Sequence, residues 1–373
     1  MIPEKAFCLN LECPARGQVG KGNISVHSQK EKRYECDVCG ETFAATKGTI
    51  FYRLRTDPKI VILVLTLVVH GCPIQAIVAA FGFDERTVKK WWQRGGAHCE
   101  KVHQQQVGQS QLDLGQVQAD EIKAKTQQGS VWLAMAMMVS TRLWLGGVIS
   151  PQRDKSLIQA LADQVRTIAL CRPLLVAVDG LPSYITAFRD AFRSPLPREG
   201  KGGRPKLRPW SELHLVQVVK ARTAGCFSIQ RRIVQGCADQ IERLIQTSQG
   251  QGGINTAYIE RLNATFRQRL APLARRTRAL ARQPQTLYDG MYLLGCVYNF
   301  CTYHYSLRLP YFLTNHTQRW LQRTPAIAAG LTDHLWSIEE LFLFKVPPPP
   351  WTPPKRRGRP SKETLALIER WAS

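Results

Sequence analysis

The order of apolar segments between residues 116 and 191 restricts this chain more than any other feature. Residues 117–120 form a short strand-like run ending in Asp120. Two longer apolar runs follow, residues 131–139 and 143–149, joined through Ser140, Thr141 and Arg142. Residues 155–168 read as a helix. Residues 173–178 are continuously apolar, the pattern of a strand buried on both faces, and they stop at Asp179-Gly180. Pro182 opens another helix. Three strands, a helix, a strand and a helix predict an α/β domain, a mixed sheet with helices on both faces.

That order is the one expected of a ribonuclease H-like fold, and in such a fold the acids have a use. Phosphoryl transfer on DNA needs an activated attacking oxygen and a stabilised leaving oxygen. Two divalent ions ~3.5–4 Å apart serve both. Magnesium, or manganese in its place, prefers hard carboxylate oxygens, usually one or two per ion. Asp120 and Asp179 fall on neighbouring strands if the sheet takes the order of this fold. Strand alternation sends the adjoining Glu121 to the opposite face, and the bare pattern does not choose between it and Asp120. A third acid is expected on a later helix. Glu260 begins one, and Arg267, seven residues on, shares its face. Residues 261–288 contain no acid but seven arginines: 261, 267, 269, 275, 276, 278 and 282. Such a run repels itself unless a phosphate backbone relieves it.

The whole chain leans the same way. Lys and Arg number 51 against 28 Asp and Glu, a formal charge of +23 over 373 residues, which favours a polyanionic partner. No secretory leader opens the sequence, and the longest apolar run, residues 60–69, is far short of the ~20 residues that span a bilayer. A cytoplasmic, nucleoid-associated protein without a membrane partner is expected. Eleven cysteines without an export signal argue against a disulfide framework.

Four of those cysteines have metal-ligand spacing. Cys8-x4-Cys13 is followed by Cys36-x2-Cys39, with Pro14 and Gly40 directly after the pairs. Two close pairs about twenty residues apart make a tetrahedral thiolate site that suits structural zinc. Lys21, Lys30, Lys32 and Arg33 between them point to phosphate. The other seven cysteines read as packing residues. His98, Cys99 and His103 form no complete ligand set.

Residues 51–105 read as a helix-turn-helix domain. Pro58 starts one helix, Gly71 ends it, residues 73–81 form a second, Gly82 turns, and Asp84 caps a third that runs to Trp92. Arg86, Lys89 and Lys90, with Glu85, face outward on it; Val88 and one tryptophan face inward.

These residues resemble a known family. The strand with Asp120-Glu121, the segment Val178-Asp179-Gly180-x-Pro182-x-Tyr184, and Ile259-Glu260-Arg261-x-Asn263-x3-Arg267-x-Arg269-Leu270 look like the DDE transposases of bacterial insertion sequences. The small-element group with a zinc ribbon and helix-turn-helix in front is the best match. Asn299-Phe300-Cys301 and Thr324-Pro325-Ala326 resemble the end of such cores, so the likeness covers roughly residues 8–345. It selects Asp120, Asp179 and Glu260 as a metal-binding triad with Arg267 beside it, and it implies nicking at terminal inverted repeats followed by strand transfer. Double-stranded DNA at element ends and target is then the partner. Arg261, Asn263, Arg267, Arg269, Arg275 and Arg276 are the DNA-contact candidates near the site. A homodimer or higher assembly is expected, because two ends must meet.

The implied layout is a zinc ribbon over 1–50, the helix-turn-helix over 51–105, a catalytic core over 112–310 with an insertion near 192–250, a helical segment over 311–345, and a proline-rich linker with a basic tail over 346–373. The tail, with Arg357 and Arg359 flanking Gly358, resembles an AT-hook, and Arg204-Pro205 repeats the pattern in the insertion. A non-catalytic DNA-binding regulator is the alternative. It accounts for the charge and the N-terminal modules but not for acids at strand ends beside a basic helix.

Overall fold

The protein is described by a computed structural model over residues 1–196, 205–223, 226–312, 318–353 and 360–371. It divides into two compact units, Met1–Pro58 with Phe342–Ser373, and Lys59–Leu341.

In the first unit, β1 (Ile24–Ser28), β2 (Arg33–Cys36) and β3 (Thr42–Ala44) form an antiparallel sheet in that order. Gly40 takes φ 68°, a left-handed turn that L side chains disfavour, and its N–H donates to the Cys36 carbonyl at 2.7 Å. That turn folds the second cysteine pair back on itself. Tyr34 and Phe43 pack with ring centroids 5.8 Å apart, over a core that includes Cys8, Cys13 and Cys36.

The second unit opens with α1 (Pro58–Val69), α2 (Ile74–Phe81) and α3 (Glu85–His103). α2 ends at Gly82, left-handed at φ 70°, and the Asp84 side chain caps α3 by accepting from the Arg86 N–H at 2.8 Å. α3 does not stop near Trp92 as its sequence suggested. Gly95 and Gly96 continue it because another helix crosses there: a Cβ at Gly96 would lie 2.5 Å from Asp289. Both Trp91 and Trp92 are buried with Val88, rather than one tryptophan alone.

The sheet follows. β4 (Gln116–Thr126), β5 (Gly129–Met138) and β6 (Trp144–Ser150) form an antiparallel meander. β4 runs well beyond Asp120, because Ile122 and Ala124 keep an apolar alternation that buries them. α4 (Lys155–Ile168) leads to β7 (Leu174–Asp179), which lies parallel to β4, and α5 (Pro182–Ala191) follows. β8 (Arg193–Pro195) and β9 (Leu207–Pro209) make a small separate ribbon. The segment expected as an insertion near 192–250 then supplies two more strands of the sheet. β10 (Leu213–Thr223) joins the main sheet parallel to β7, and β11 (Cys226–Gln235) forms its antiparallel outer edge. The six-stranded mixed sheet has the order β11-β10-β7-β4-β5-β6.

α6 (Ala238–Gln249) packs Ile241 and Ile245 on Leu175, Ala177 and Val216, and α7 (Ala257–Arg269) lies over β4. α4 and α5 take the opposite face. α8 (Pro284–Cys296) crosses α3, so the three N-terminal helices and the sheet share one unit. A hairpin of β12 (Leu309–Phe312) and β13 (Gln318–Leu321) comes next, then the short helices α9 (Pro325–Ala328) and α10 (Ile338–Leu343). The tail carries α11 (Lys362–Trp371), whose Trp371 is buried in the core of the first unit. Among the described residues no helix is long and apolar enough to cross a membrane.

Candidate active site

β4 and β7 pair only as far as Gln118 opposite Ala177. Beyond that rung the two parallel strands part, and crevices at such strand ends are where open α/β sheets take ligands. Continuing the register sets Asp120 beside Asp179. Alternation then decides direction. Asp120 faces α7, where Asn263 Nδ2 donates to its Oδ2 at 2.7 Å. Glu121 faces α5, where the Tyr184 hydroxyl donates to its Oε2 at 2.7 Å.

α7 is held to the sheet by a residue the sequence analysis passed over. Gln118 is fully buried. Its Oε1 accepts the N–H groups of Tyr258 and Ile259, both at 3.0 Å, and its Nε2 donates to the Asn255 carbonyl at 2.8 Å. Two orphan donors of the helix N-terminus are thereby satisfied by a strand side chain. The first turn of α7, with Glu260 in it, is fixed against β4. The only sequence sign was a polar residue at a core-facing strand position.

Carboxylate oxygens of Asp120, Glu121 and Asp179 lie within 4.8 Å of one another. Burial pushes the Asp120 carboxyl up to about 7, and the charges of Glu121, Asp179 and Glu260 push the same way. Arg153 sits between Glu121, with Nε 2.6 Å from Oε1, and Asp179, with Nη2 3.4 Å from Oδ2. Its guanidinium also lies 5.0 Å from the Trp132 ring centroid. Asp179 Oδ1 accepts from the Leu181 N–H at 2.9 Å, which fixes its rotamer.

Glu260 lines the same cleft, about 730 Å³ in volume, together with Arg267, Arg275 and Lys220. Its carboxylate is turned to Lys220 and to the Thr256 hydroxyl at 2.7 Å, and it stands outside the three-carboxylate group. Burial raises the Glu260 carboxyl, but these two hydrogen bonds outweigh that and hold it below its ordinary value. The structure therefore brings Asp120 and Asp179 together, adds Glu121, and leaves Glu260 on the facing wall. An all-oxygen donor set, with Asp120 pushed toward protonation by burial and by the neighbouring carboxylates, fits a hard divalent cation.

The four cysteines fit a softer one. Cys8 Sγ lies 3.7 Å from Cys39 Sγ, and Cys13 Sγ 3.8 Å from Cys36 Sγ. Four sulfurs at a Zn–S distance of ~2.3 Å form a tetrahedron with edges of about 3.8 Å. Burial pushes the Cys13 thiol up to about 12, and the neighbouring Cys36 charge adds to it, a repulsion that a bound cation would remove. His98 and His103, by contrast, are buried against the carbonyls of Leu341 and Leu145 at 3.0 and 3.2 Å.

The basic candidates fall into groups. Arg267 and Arg275 line the cleft. Burial raises the Tyr298 phenol and the charges of Arg142, Arg261 and Arg269 pull it back, while Arg261 is itself exposed and Arg269 half-buried. Arg276 is exposed, as are Arg86, Lys89 and Lys90 on α3, where Lys89 pairs with Glu85 at 2.5 Å. Arg204, Arg357 and Arg359 lie outside the described residues.

No family model matches the chain. No curated protein matches it either. Among solved structures it is similar to a piggyBac transposase, seen by cryo-EM in a synaptic complex with hairpin DNA, at 9% identity and a TM-score of 0.30. The match covers 64% of this chain and 63% of that one, less than two thirds of its length.

Proposed function

We propose that the chain is a DDE-type transposase of a bacterial insertion sequence, built on a ribonuclease H-like core. The sheet supports the core assignment. An antiparallel meander of three strands is followed by two strands parallel to its first, with helices on both faces. The observation that carries the function is Asp120 beside Asp179 at a parting of parallel strands, in a cleft whose other wall holds Glu260, Arg267 and Arg275.

On this reading Asp120 and Asp179 would hold divalent magnesium or manganese, and Glu260, now paired with Lys220, would serve as the third acid. The bound ions would polarise phosphate and activate the attacking oxygen. The chain's own residues do the rest. Arg267 and Arg275 bind the phosphates that flank the scissile bond. Asn263 fixes the orientation of Asp120, and Gln118 fixes the helix that carries Glu260. Arg153 and Tyr184 hold Glu121, so that its charge is balanced from the far face. The thiolate cluster would hold structural zinc in a ribbon over residues 1–50. α3, with Arg86, Lys89 and Lys90 exposed, would enter the major groove of a terminal repeat. The core over 112–310, the segment 311–345, the AT-hook-like tail, the assembly of two or more copies on DNA and a nucleoid location belong to the same proposal.

The test is cleavage and strand transfer on a labelled duplex carrying the element's own terminal repeat, with magnesium or manganese. Wild type should nick and join. Asp179→Ala and Glu260→Ala should bind the duplex and do neither. Activity in both variants, or a wild type that only binds, would overturn the catalytic assignment and favour the regulator.

A further inference from the structure

The hairpin of β12 and β13 has no role in the cleft just described, and its surface is unusual. Its strands pair Leu309 with Leu321, Pro310 with Trp320, and Tyr311 with Arg319. Consecutive positions on a strand point to opposite faces. Yet Leu309, Tyr311, Trp320 and Leu321 are all exposed, at 44%, 46%, 42% and 56%. Neither face of the ribbon is spent on the core. The base is anchored: Arg323 Nε donates to the Leu307 carbonyl at 2.8 Å, the His304 N–H donates to the Arg323 carbonyl at 3.0 Å, and Leu307 is buried. A firmly based ribbon thus presents apolar and aromatic groups to solvent.

At its foot the Arg308 guanidinium lies between two rings, 3.5 Å from the Tyr305 centroid and 3.7 Å from that of Trp320. A cation between two aromatic faces is a ready-made stack. Tyr305 is 70% exposed, so one of its faces is still open. Charge decides what would extend the stack. Residues 290–332 hold three arginines, 308, 319 and 323, and no acid. A neutral apolar protein surface gains little from that, whereas a nucleic-acid strand offers flat bases and phosphates together.

We propose that this ribbon is a base-stacking element. It takes an unstacked nucleobase of a DNA strand onto the exposed Tyr305 ring, extending the stack of Tyr305, Arg308 and Trp320, with Arg319 beside the adjoining phosphates. The inference rests on DNA being the partner. It adds that the protein holds DNA in a locally unpaired state, at a surface separate from the acidic cleft and from α3.

The experiment uses the full chain and two fluorescein-labelled duplexes of one sequence, one fully paired and one with a bulge of unpaired adenines, read by fluorescence anisotropy. Wild type should bind the bulged duplex more tightly. Trp320→Ala and Tyr305→Ala should each weaken binding to the bulge by about tenfold and leave the paired duplex little changed. Trp320→Phe, which keeps a ring, should retain most of the preference and shows that loss in Trp320→Ala is not misfolding. Variants that hold the bulge as well as wild type would overturn the inference while leaving DNA binding intact. Variants that alter only the sedimentation of the DNA-free protein would overturn it in favour of a contact between copies. A wild type that binds neither duplex would overturn both this inference and the DNA reading beneath it.

Discussion

The two candidate metal clusters are built on opposite plans. The thiolates of the first unit close on themselves: four sulfurs, two contacts of 3.7 and 3.8 Å, and a core of Tyr34 and Phe43 packed around them. The acids of the second unit border an open cleft: Asp120 and Asp179 line it, Glu121 is buried behind them, Arg153 balances them from one side and Glu260 lines the same cleft. A closed set has no room for a substrate and serves stability; an open set leaves positions free and serves chemistry. The same contrast shows in how each charge is answered. The sulfurs have one another and backbone donors such as the Asn10 N–H, 3.4 Å from Cys8 Sγ, so a cation must come from outside, whereas the acids already have arginine and lysine partners.

The largest expected effect tests the closed side. Cys36→Ser should cost the first unit most of its stability, since zinc binding contributes ~10–16 kcal/mol in small thiolate modules. Hydrogen exchange should show residues of β1 and β2 losing protection while β4 and β7 keep theirs. If β4 exchanges equally fast, the two units are not separately stable and the contrast collapses.

Acid sharpens the comparison from the other side, through His103 in the sheet unit. This ring is buried 4.5 Å from Trp144, its Nε2 is 3.2 Å from the Leu145 carbonyl, and its Nδ1 has no partner. Burial holds it neutral down to about 4. The unfolded chain takes up the proton near 6.5, so below that pH the unfolded state binds more protons than the native one. The contribution is complete above 6.5 and is lost as pH falls toward 4, up to about 3 kcal/mol. Urea unfolding at pH 7.5 and 4.5 should show that loss in wild type and less of it in His103→Gln. An equal loss in both would remove His103 as the cause.

The smallest effect concerns the open side. Lys220 and Glu260 are both partly exposed, and such pairs contribute ~0–1 kcal/mol. Lys220→Met should therefore leave folding alone and tighten manganese binding at most about fivefold, by freeing Glu260. Abolished manganese binding would mean that Lys220 places the carboxylate rather than restraining it.

The same contrast explains what the sequence made legible. Cysteine spacing and an acid at the end of an apolar run are local signals, so the thiolate set and Asp179 could be named from residue order, whereas the choice of Asp120 over Glu121 rested on the family likeness. Partners brought in by folding left no local mark. Gln118 looks like any polar residue on a strand until its carbonyl oxygen is seen capping α7. Arg153 sits in a short polar stretch without periodicity, and nothing in that stretch points to Glu121 or Asp179. Alternation turns Glu121 to the face opposite Asp120, and only the family likeness favoured Asp120. Glu121 does point there, yet the mouth of the strand is narrow enough for its oxygen to stand within 4.8 Å of the other two. α3 runs past Trp92 for a related reason: Gly95 and Gly96 leave room in the fold for another helix to cross.

Trp371 gives the molecule an order of assembly. The core that holds the cysteine pairs includes a side chain from the other end of the chain, more than 300 residues later. Domains made first on a ribosome usually fold first. Here the core around the cysteine pairs is completed by a side chain more than 300 residues further along, so it cannot be filled until that residue has been made. Closure of the four-cysteine core would thus report that synthesis has passed α11.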